Sequence, residues 1–257
     1  MARKLVVANP KGGVGKTTTV LNLGAALAEL NYRVLLIDLD AQGGLTASLG
    51  VDPYRVQHSA YSLLIHDHVS LARVLTHVGG TIALIPASLN LASVELKLGA
   101  GREAVFRLRR ALDDSHIPFD YVLIDTPPSL GVLTANGLVA ASELLIPVQC
   151  RYLAMRGVRT LLDTLKRVQQ GLNPELELLG ILGTMCTAES AHAREVIDEI
   201  RAVFPRKTFR AVIADSDALA ESPILYQSVL EYAPDDPAAQ AYRALAQEIA
   251  YERHTLR

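Results

Sequence analysis

The chain has 257 residues, 50% hydrophobic and 20% charged, with a formal net charge of −2 at pH 7. That length suits one large α/β domain or two small ones, and the apolar content is enough for a substantial core. There is no global basic excess pointing to nucleic acid, no run near the roughly 18 apolar residues that cross a bilayer, and no signal-peptide pattern after Met1-Ala2-Arg3-Lys4, so the chain reads as soluble and cytoplasmic.

In chain order, β-type apolar runs fall at 4–9, 33–38, 81–86, 121–125, 143–148, 177–184 and 208–213. Helical patterns fall at 16–30, 104–113, 154–170, 191–203 and 237–252. Continuous Val/Ile/Leu strands mark a parallel sheet covered on both faces. Their alternation with helices predicts a single, doubly wound, mostly parallel α/β sheet with helices on both faces. No linker or repeat divides the chain, so one domain over 1–257 is expected, with 253–257 as a disordered tail. Cys150 and Cys186 have neither metal-ligand spacing nor a disulfide framework, and are expected as reduced thiols in or near the core. His66 and His68 read as loop surface.

Ligands of open parallel sheets sit beyond the carboxyl ends of the strands. Three segments there carry chemistry: the glycine loop after the first strand, Asp38–Asp40 after the second, and Asp125-Thr126-Pro127-Pro128 after the strand at 121–125. The loop reads Pro10-Lys11-Gly12-Gly13-Val14-Gly15-Lys16-Thr17-Thr18. Its glycines let the main chain approach a ligand closely, and its N–H groups with the following helix N-terminus make a nest for phosphate. Lys16 is placed to neutralise the β- and γ-phosphates and Thr17 to offer its hydroxyl to Mg²⁺.

Where a standard phosphate loop has glycine, this one has Pro10, and a second lysine, Lys11, follows. Lys-Gly-Gly-Val-Gly-Lys-Thr-Thr resembles the deviant Walker A family of ATPases, which includes ParA/Soj partition ATPases, MinD proteins and the nitrogenase iron protein. Asn22–Ala28, Leu35–Gly43, Ile124–Leu130, Leu145–Cys150 and Ala239–Tyr242 look most like the ParA/Soj group. The resemblance implies ATP and Mg²⁺ as ligands and a homodimer with ATP sandwiched at its interface, Lys11 reaching across to the partner's nucleotide. It also implies an activating partner of the ParB kind and no membrane anchor. On this basis Lys11, Lys16 and Asp40 are the catalytic candidates. Residues Lys11 to Thr18, with Met185, Ala214 and Asp215, would hold the nucleotide. Thr17, Asp38 and Asp125 would serve the metal, the two aspartates through water. Asp40 would orient the attacking water, and Gln42-Gly43 would sense the γ-phosphate. Asp38 and Asp40 would share a strand face if the strand continued that far.

The DNA-binding signal departs from the family. Glu189, Asp215, Ala218 and Gln227 stand where relatives carry basic residues, and Arg151 and Arg156 where they carry glutamates. The basic residues nearby are Arg194, Arg201, Arg206, Lys207 and Arg210; the first two share a helical face, but Glu195, Asp198 and Glu199 are interleaved. Weakened, moved or absent DNA binding is therefore expected. Asp215 in the base pocket could accept from an exocyclic amine, leaving GTP an alternative to ATP. Two alternatives stand beside a partition ATPase: a regulatory ATPase that positions a protein assembly without DNA, and a metabolic amidoligase or reductase such as cobyrinate diamide synthase. Against the last, the chain shows no glutaminase portion and no paired cluster cysteines.

Overall fold

The computed structural model describes residues 2–99, 101–115, 118–150, 154–187 and 191–255. Val34, Leu35, Leu36 and Ile37 are all fully buried. Side chains alternate across a strand, so burial of every one requires cover on both faces. That cover follows from the sheet. Its strands are β1 Arg3–Val7, β2 Val34–Asp38, β3 Thr76–Gly79, β4 Ile82–Ile85, β5 Tyr121–Asp125, β6 Glu143–Gln149, β7 Glu177–Thr184 and β8 Thr208–Val212. They lie in the order β3-β4-β2-β5-β1-β6-β7-β8. All pairings are parallel except β3 on β4.

One face gathers Val6, Leu35, Ile37, Ile124 and Ile146 against Leu108, Leu112, Leu138, Leu161, Leu165, Val196 and Ile200. Those partners belong to the helices Arg107–Asp113, Val132–Ala140, Ala154–Gly171 and Ala191–Val203. The other face sets Leu5, Val7, Leu36, Leu123 and Leu145 against the helices Lys16–Glu29 and Pro237–Thr255. A Cβ on Gly24 would stand 2.7 Å from Leu36 Cδ2, so glycine lets the first helix lie close on the sheet.

Several boundaries differ from expectation. The run at 4–9 forms a strand only to Val7, since the chain must leave the sheet to build the glycine loop. β3 was not legible: it is short, half-exposed, and bulged at Gly79. The helical signal at 104–113 splits into a 3₁₀ turn, Arg102–Val105, and a helix from Arg107. Asn136 holds that break, accepting from the Leu108 amide and donating to the Ala104 carbonyl. The C-terminal helix runs to Thr255 and takes in the first part of the expected tail, because the Tyr242–Leu245–Ala246–Ile249 apolar stripe keeps it docked up to its last turn.

Asn22 ties the first helix to the C-terminal half. Its Oδ1 accepts from the Val229 amide at 2.8 Å in the interior, and its Nδ2 donates to the half-buried Thr18 carbonyl at 2.8 Å. Asn22→Ala leaves that amide without its acceptor and should cost about 2 kcal/mol. Urea unfolding would read this as a lower midpoint at unchanged slope.

Candidate functional site

The glycine loop leaves β1 between β5 and β6, the strand neighbours that the sheet order places on its two sides. Gly13 (φ 68°) and Gly15 (φ 84°) take left-handed backbone, which a Cβ disfavours, and Gly15 caps the first helix. Asn9 accepts from the Lys11 amide and donates to the Pro147 carbonyl, fixing the loop mouth to β6. Thr184 clamps the other side through its hydroxyl on the Val14 carbonyl at 2.9 Å.

The two lysines are placed differently. Lys16 is 7% exposed and its Nζ spans the loop to the Lys11 carbonyl at 3.2 Å. Burial pushes its ammonium pKa down, and the Asp125 and Asp40 carboxylates pull it back up. Lys11 lies on the exposed side of the cradle, with Nζ at 3.2 Å from Gln149 Oε1.

Asp38 and Asp125 are register partners on β2 and β5, so both strand ends deliver a carboxylate beneath the loop. Both are fully buried. Asp125 Oδ2 accepts the Thr17 hydroxyl at 2.7 Å, while Oδ1 is buried with no partner. Burial raises the Asp125 pKa well above the usual range, reinforced by the neighbouring Asp38. Burial also lifts Asp38, to about 6. An orphaned carboxylate oxygen beside a threonine hydroxyl is the donor set of a hard divalent cation such as Mg²⁺, which keeps waters and phosphate oxygens in its remaining positions. Among the described residues no group of three His, Cys, Asp or Glu forms a metal cage unaided.

Asp38 also organises the chain around it. β2 stops there, and the chain turns rather than continuing, so Asp38 and Asp40 do not share an extended face. Asp38 Oδ1 accepts from the Asp40 amide at 3.0 Å, and Oδ2 accepts both the amide (2.9 Å) and hydroxyl (2.7 Å) of Thr46. It pins the turn that carries Asp40, Gln42 and Gly43. Asp40 Oδ1 in turn holds the Gln42 amide. Gly43 has φ 64° and a Cβ there would meet the Pro53 ring at 2.7 Å, while the Cβ position of Gly44 lies 3.6 Å from the Thr17 methyl. The turn is thus packed against the same threonine that faces Asp125.

Met185, Ala214 and Asp215 come together. With Gly15, Thr18 and Tyr242 they line a cavity of about 200 Å³ beside the cradle. Cys150 and Cys186, expected as reduced thiols, instead form a disulfide, with Cα atoms 5.1 Å apart. β6 and β7 end side by side with Gln149 opposite Thr184, and left-handed Met185 (φ 51°) turns the chain back so that Cys186 meets Cys150. A sequence separation of 36 gave no hint of this neighbourhood.

The AAA domain family matches residues 2–178. The chromosome-partitioning ATPase Soj of Thermus thermophilus is 44% identical over 247 residues, covering 96% of this chain and 95% of that protein. The sporulation initiation inhibitor protein Soj of Bacillus subtilis is 39% identical over 97% of this chain and 99% of its own length. The chain belongs to the ParA/Soj family. A crystal structure from Mycobacterium smegmatis, named cobyrinic acid a,c-diamide synthase and solved with an ATP analogue and magnesium, superposes with a TM-score of 0.88. It is 40% identical, covering 100% of this chain and 97% of that one.

The basic residues read as a possible DNA patch lie on the helix Ala191–Val203 and at the start of β8. Arg194, Arg201, Arg206, Lys207 and Arg210 are exposed, and Arg206 and Lys207 directly precede β8. Arg201 pairs with Asp198 at 3.6 Å, and the Arg210 amide donates to Glu248. Glu189 and Arg151 lie outside the described residues, as does the side chain of Arg156. His66 and His68 line a separate cavity of about 590 Å³. Asn9, Thr46, Gln149, Thr184 and Tyr242 escaped sequence reading. Several act through partners distant in the chain, as Gln149 does on Lys11 and Thr184 on Val14, and a lone polar residue carries no spacing signal.

Proposed function

We propose that this chain is an ATP-driven dimerisation switch that positions DNA or another cargo, hydrolysing ATP slowly until a partner of the ParB kind stimulates it. The observation that carries this is the Thr17–Asp125 pair, with its orphaned buried oxygen, set against the two-lysine phosphate loop. Bound magnesium would lie with Thr17 and Asp125 and neutralise charge on the phosphates. Lys16 binds the β- and γ-phosphates from within the loop, Lys11 faces outward to a second subunit, and Asp40 orients water. Residues Gly12 to Thr18 hold the phosphates, and Met185, Ala214 and Asp215 flank the base. No helix among the described residues is long and apolar enough to cross a membrane, in keeping with a cytoplasmic role.

ATP-dependent dimer mass, measured by light scattering with and without nonspecific duplex DNA at low and high salt, tests the proposal. A monomer with ATP under all conditions overturns it. Glutamine-dependent amidation of a corrinoid acid would instead place the chain with the name of its Mycobacterium neighbour.

A second version of the cargo has its own support. Ile224, Leu225 and Tyr226 are exposed by 74%, 56% and 65%, on the segment that directly follows the acidic helix Asp217–Glu221. That surface suits a protein partner better than a phosphate backbone. In that case DNA binding stays weak at low salt and is indifferent to substitution of Arg194 and Arg201.

Both raised carboxyls give a pH signature. Burial raises both carboxyls, Asp38 to about 6 and Asp125 well above the usual carboxylate range, so a proton there competes with a bound cation. Magnesium–nucleotide affinity should therefore fall as pH drops through 6, by up to about tenfold per unit for each proton displaced. Calorimetric titration between pH 5 and 7.5 should also record proton release. A flat profile contradicts the assignment.

A further inference from the structure

Cys150 and Cys186 are the chain's two cysteines, and the fold joins them at the wall of the nucleotide site. Both are buried, at 3% and 7% exposure. Each neighbour of the bridge touches a part of the site. Gln149, next to Cys150, accepts from Lys11 Nζ at 3.2 Å and donates through Nε2 to the Met185 sulfur at 3.3 Å. Thr184 accepts the Cys150 amide at 3.0 Å while its hydroxyl donates to the Val14 carbonyl of the phosphate loop. Met185, next to Cys186, lines the base-side cavity in a left-handed conformation that L side chains seldom hold. The Cys186 amide donates to the Ile213 carbonyl at 3.1 Å, directly before Ala214 and Asp215 on the far wall of that cavity. Both sulfurs also lie within 3.4 Å of where a Gly183 Cβ would be, so the bridge fills a tight slot over β7.

We propose that Cys150 and Cys186 form a redox-responsive site whose disulfide holds the base-side wall and the Gln149–Lys11 contact in the nucleotide-binding arrangement, and whose reduction weakens nucleotide binding. It rests on the ATPase reading above. The bridge closes the turn that keeps Met185 left-handed; once opened, Met185 relaxes to ordinary backbone and its wall moves. A disulfide in a reducing compartment is a transient state rather than a staple, which suits a sensor.

The chemistry is thiol–disulfide exchange with a small dithiol, the class able to reach buried sulfurs. A reductant thiolate attacks one sulfur, the Cys150–Cys186 bond breaks, and a mixed disulfide forms. The second reductant thiol then displaces the protein sulfur. Two electrons and two protons pass to the cysteines, leaving two thiols and an oxidised, cyclic reductant. A small disulfide oxidant runs the same exchange in reverse. Because linkage is reciprocal, bound nucleotide must protect the bridge from reduction by the same factor that the bridge improves nucleotide affinity.

The test uses the full chain, oxidised or treated with dithiothreitol, with free thiols counted by the mass of maleimide adducts. Binding of a fluorescent ATP analogue with magnesium is followed by anisotropy. Reduction should raise Kd by roughly five- to tenfold, reoxidation should restore it, and saturating nucleotide should shift the dithiothreitol midpoint by a matching factor. Cys150→Ser/Cys186→Ser should bind like the reduced protein and ignore redox treatment; should that variant fold poorly, the unsubstituted protein still decides through the midpoint shift. Equal affinity of both forms, within twofold, overturns the switch and leaves the ATPase reading standing. Binding by neither form overturns that reading and the switch with it.

Discussion

Lys11→Ala should bind ATP nearly as well as the parent chain yet remain a monomer. Lys11 is exposed, and among the described residues its Nζ meets Gln149. Exposed contacts of that kind contribute about 0–1 kcal/mol, so nucleotide affinity should change by no more than about fivefold. What the substitution removes is a cation presented outward at the mouth of the phosphate loop, which the proposed dimer would direct to a second subunit's nucleotide. Lys16→Ala is the contrasting variant. Its ammonium is buried inside the cradle, and losing a buried charge-assisted contact of about 3 kcal/mol should weaken ATP binding by at least about 100-fold. Anisotropy with labelled ATP and light scattering on the same samples separate the two steps. ATP-dependent dimers of Lys11→Ala at the parent's concentration would refute the crossing role.

Asp40→Ala should do the reverse, trapping the ATP dimer by slowing hydrolysis roughly 10²- to 10³-fold. The residue sits on a turn held at both ends, its amide on Asp38 and its carboxylate on the Gln42 amide. Its charge is one of those that raise the pKa values of Asp38 and Asp125. Removing it eases both carboxyls towards ionisation, so magnesium and nucleotide binding should hold or tighten while turnover falls. Asp40→Asn is the control, because it preserves the oxygen that holds Gln42 and removes only the charge. If Asp40→Asn hydrolyses ATP at the parent rate in a phosphate-release assay, Asp40 shapes the turn and activates no water.

The sequence reached the cradle and its strand because local signals overlap there. A Val/Ile/Leu run, glycines at the turn, Lys16-Thr17 and an amphipathic helix follow one another without a gap, and each constrains a few residues. Asp125 was equally legible at the end of an apolar strand. The turn after β2 was only half legible. Asp38 and Asp40 were found, but their division of labour depends on Thr46, whose amide and hydroxyl occupy Asp38.

By itself, then, the sequence determined the parallel α/β sheet, the two-lysine phosphate loop and the carboxylates beneath it, since hydrophobic period and glycine placement act over a few residues. Only the tertiary structure decided which distant groups lean on that loop. Strand order brought Gln149 beside Thr184, left-handed Met185 folded Cys186 back onto Cys150, and Tyr242 came from the last helix to line the cavity beside the cradle. Contacts between parallel strands join residues tens of positions apart, and no local pattern records them.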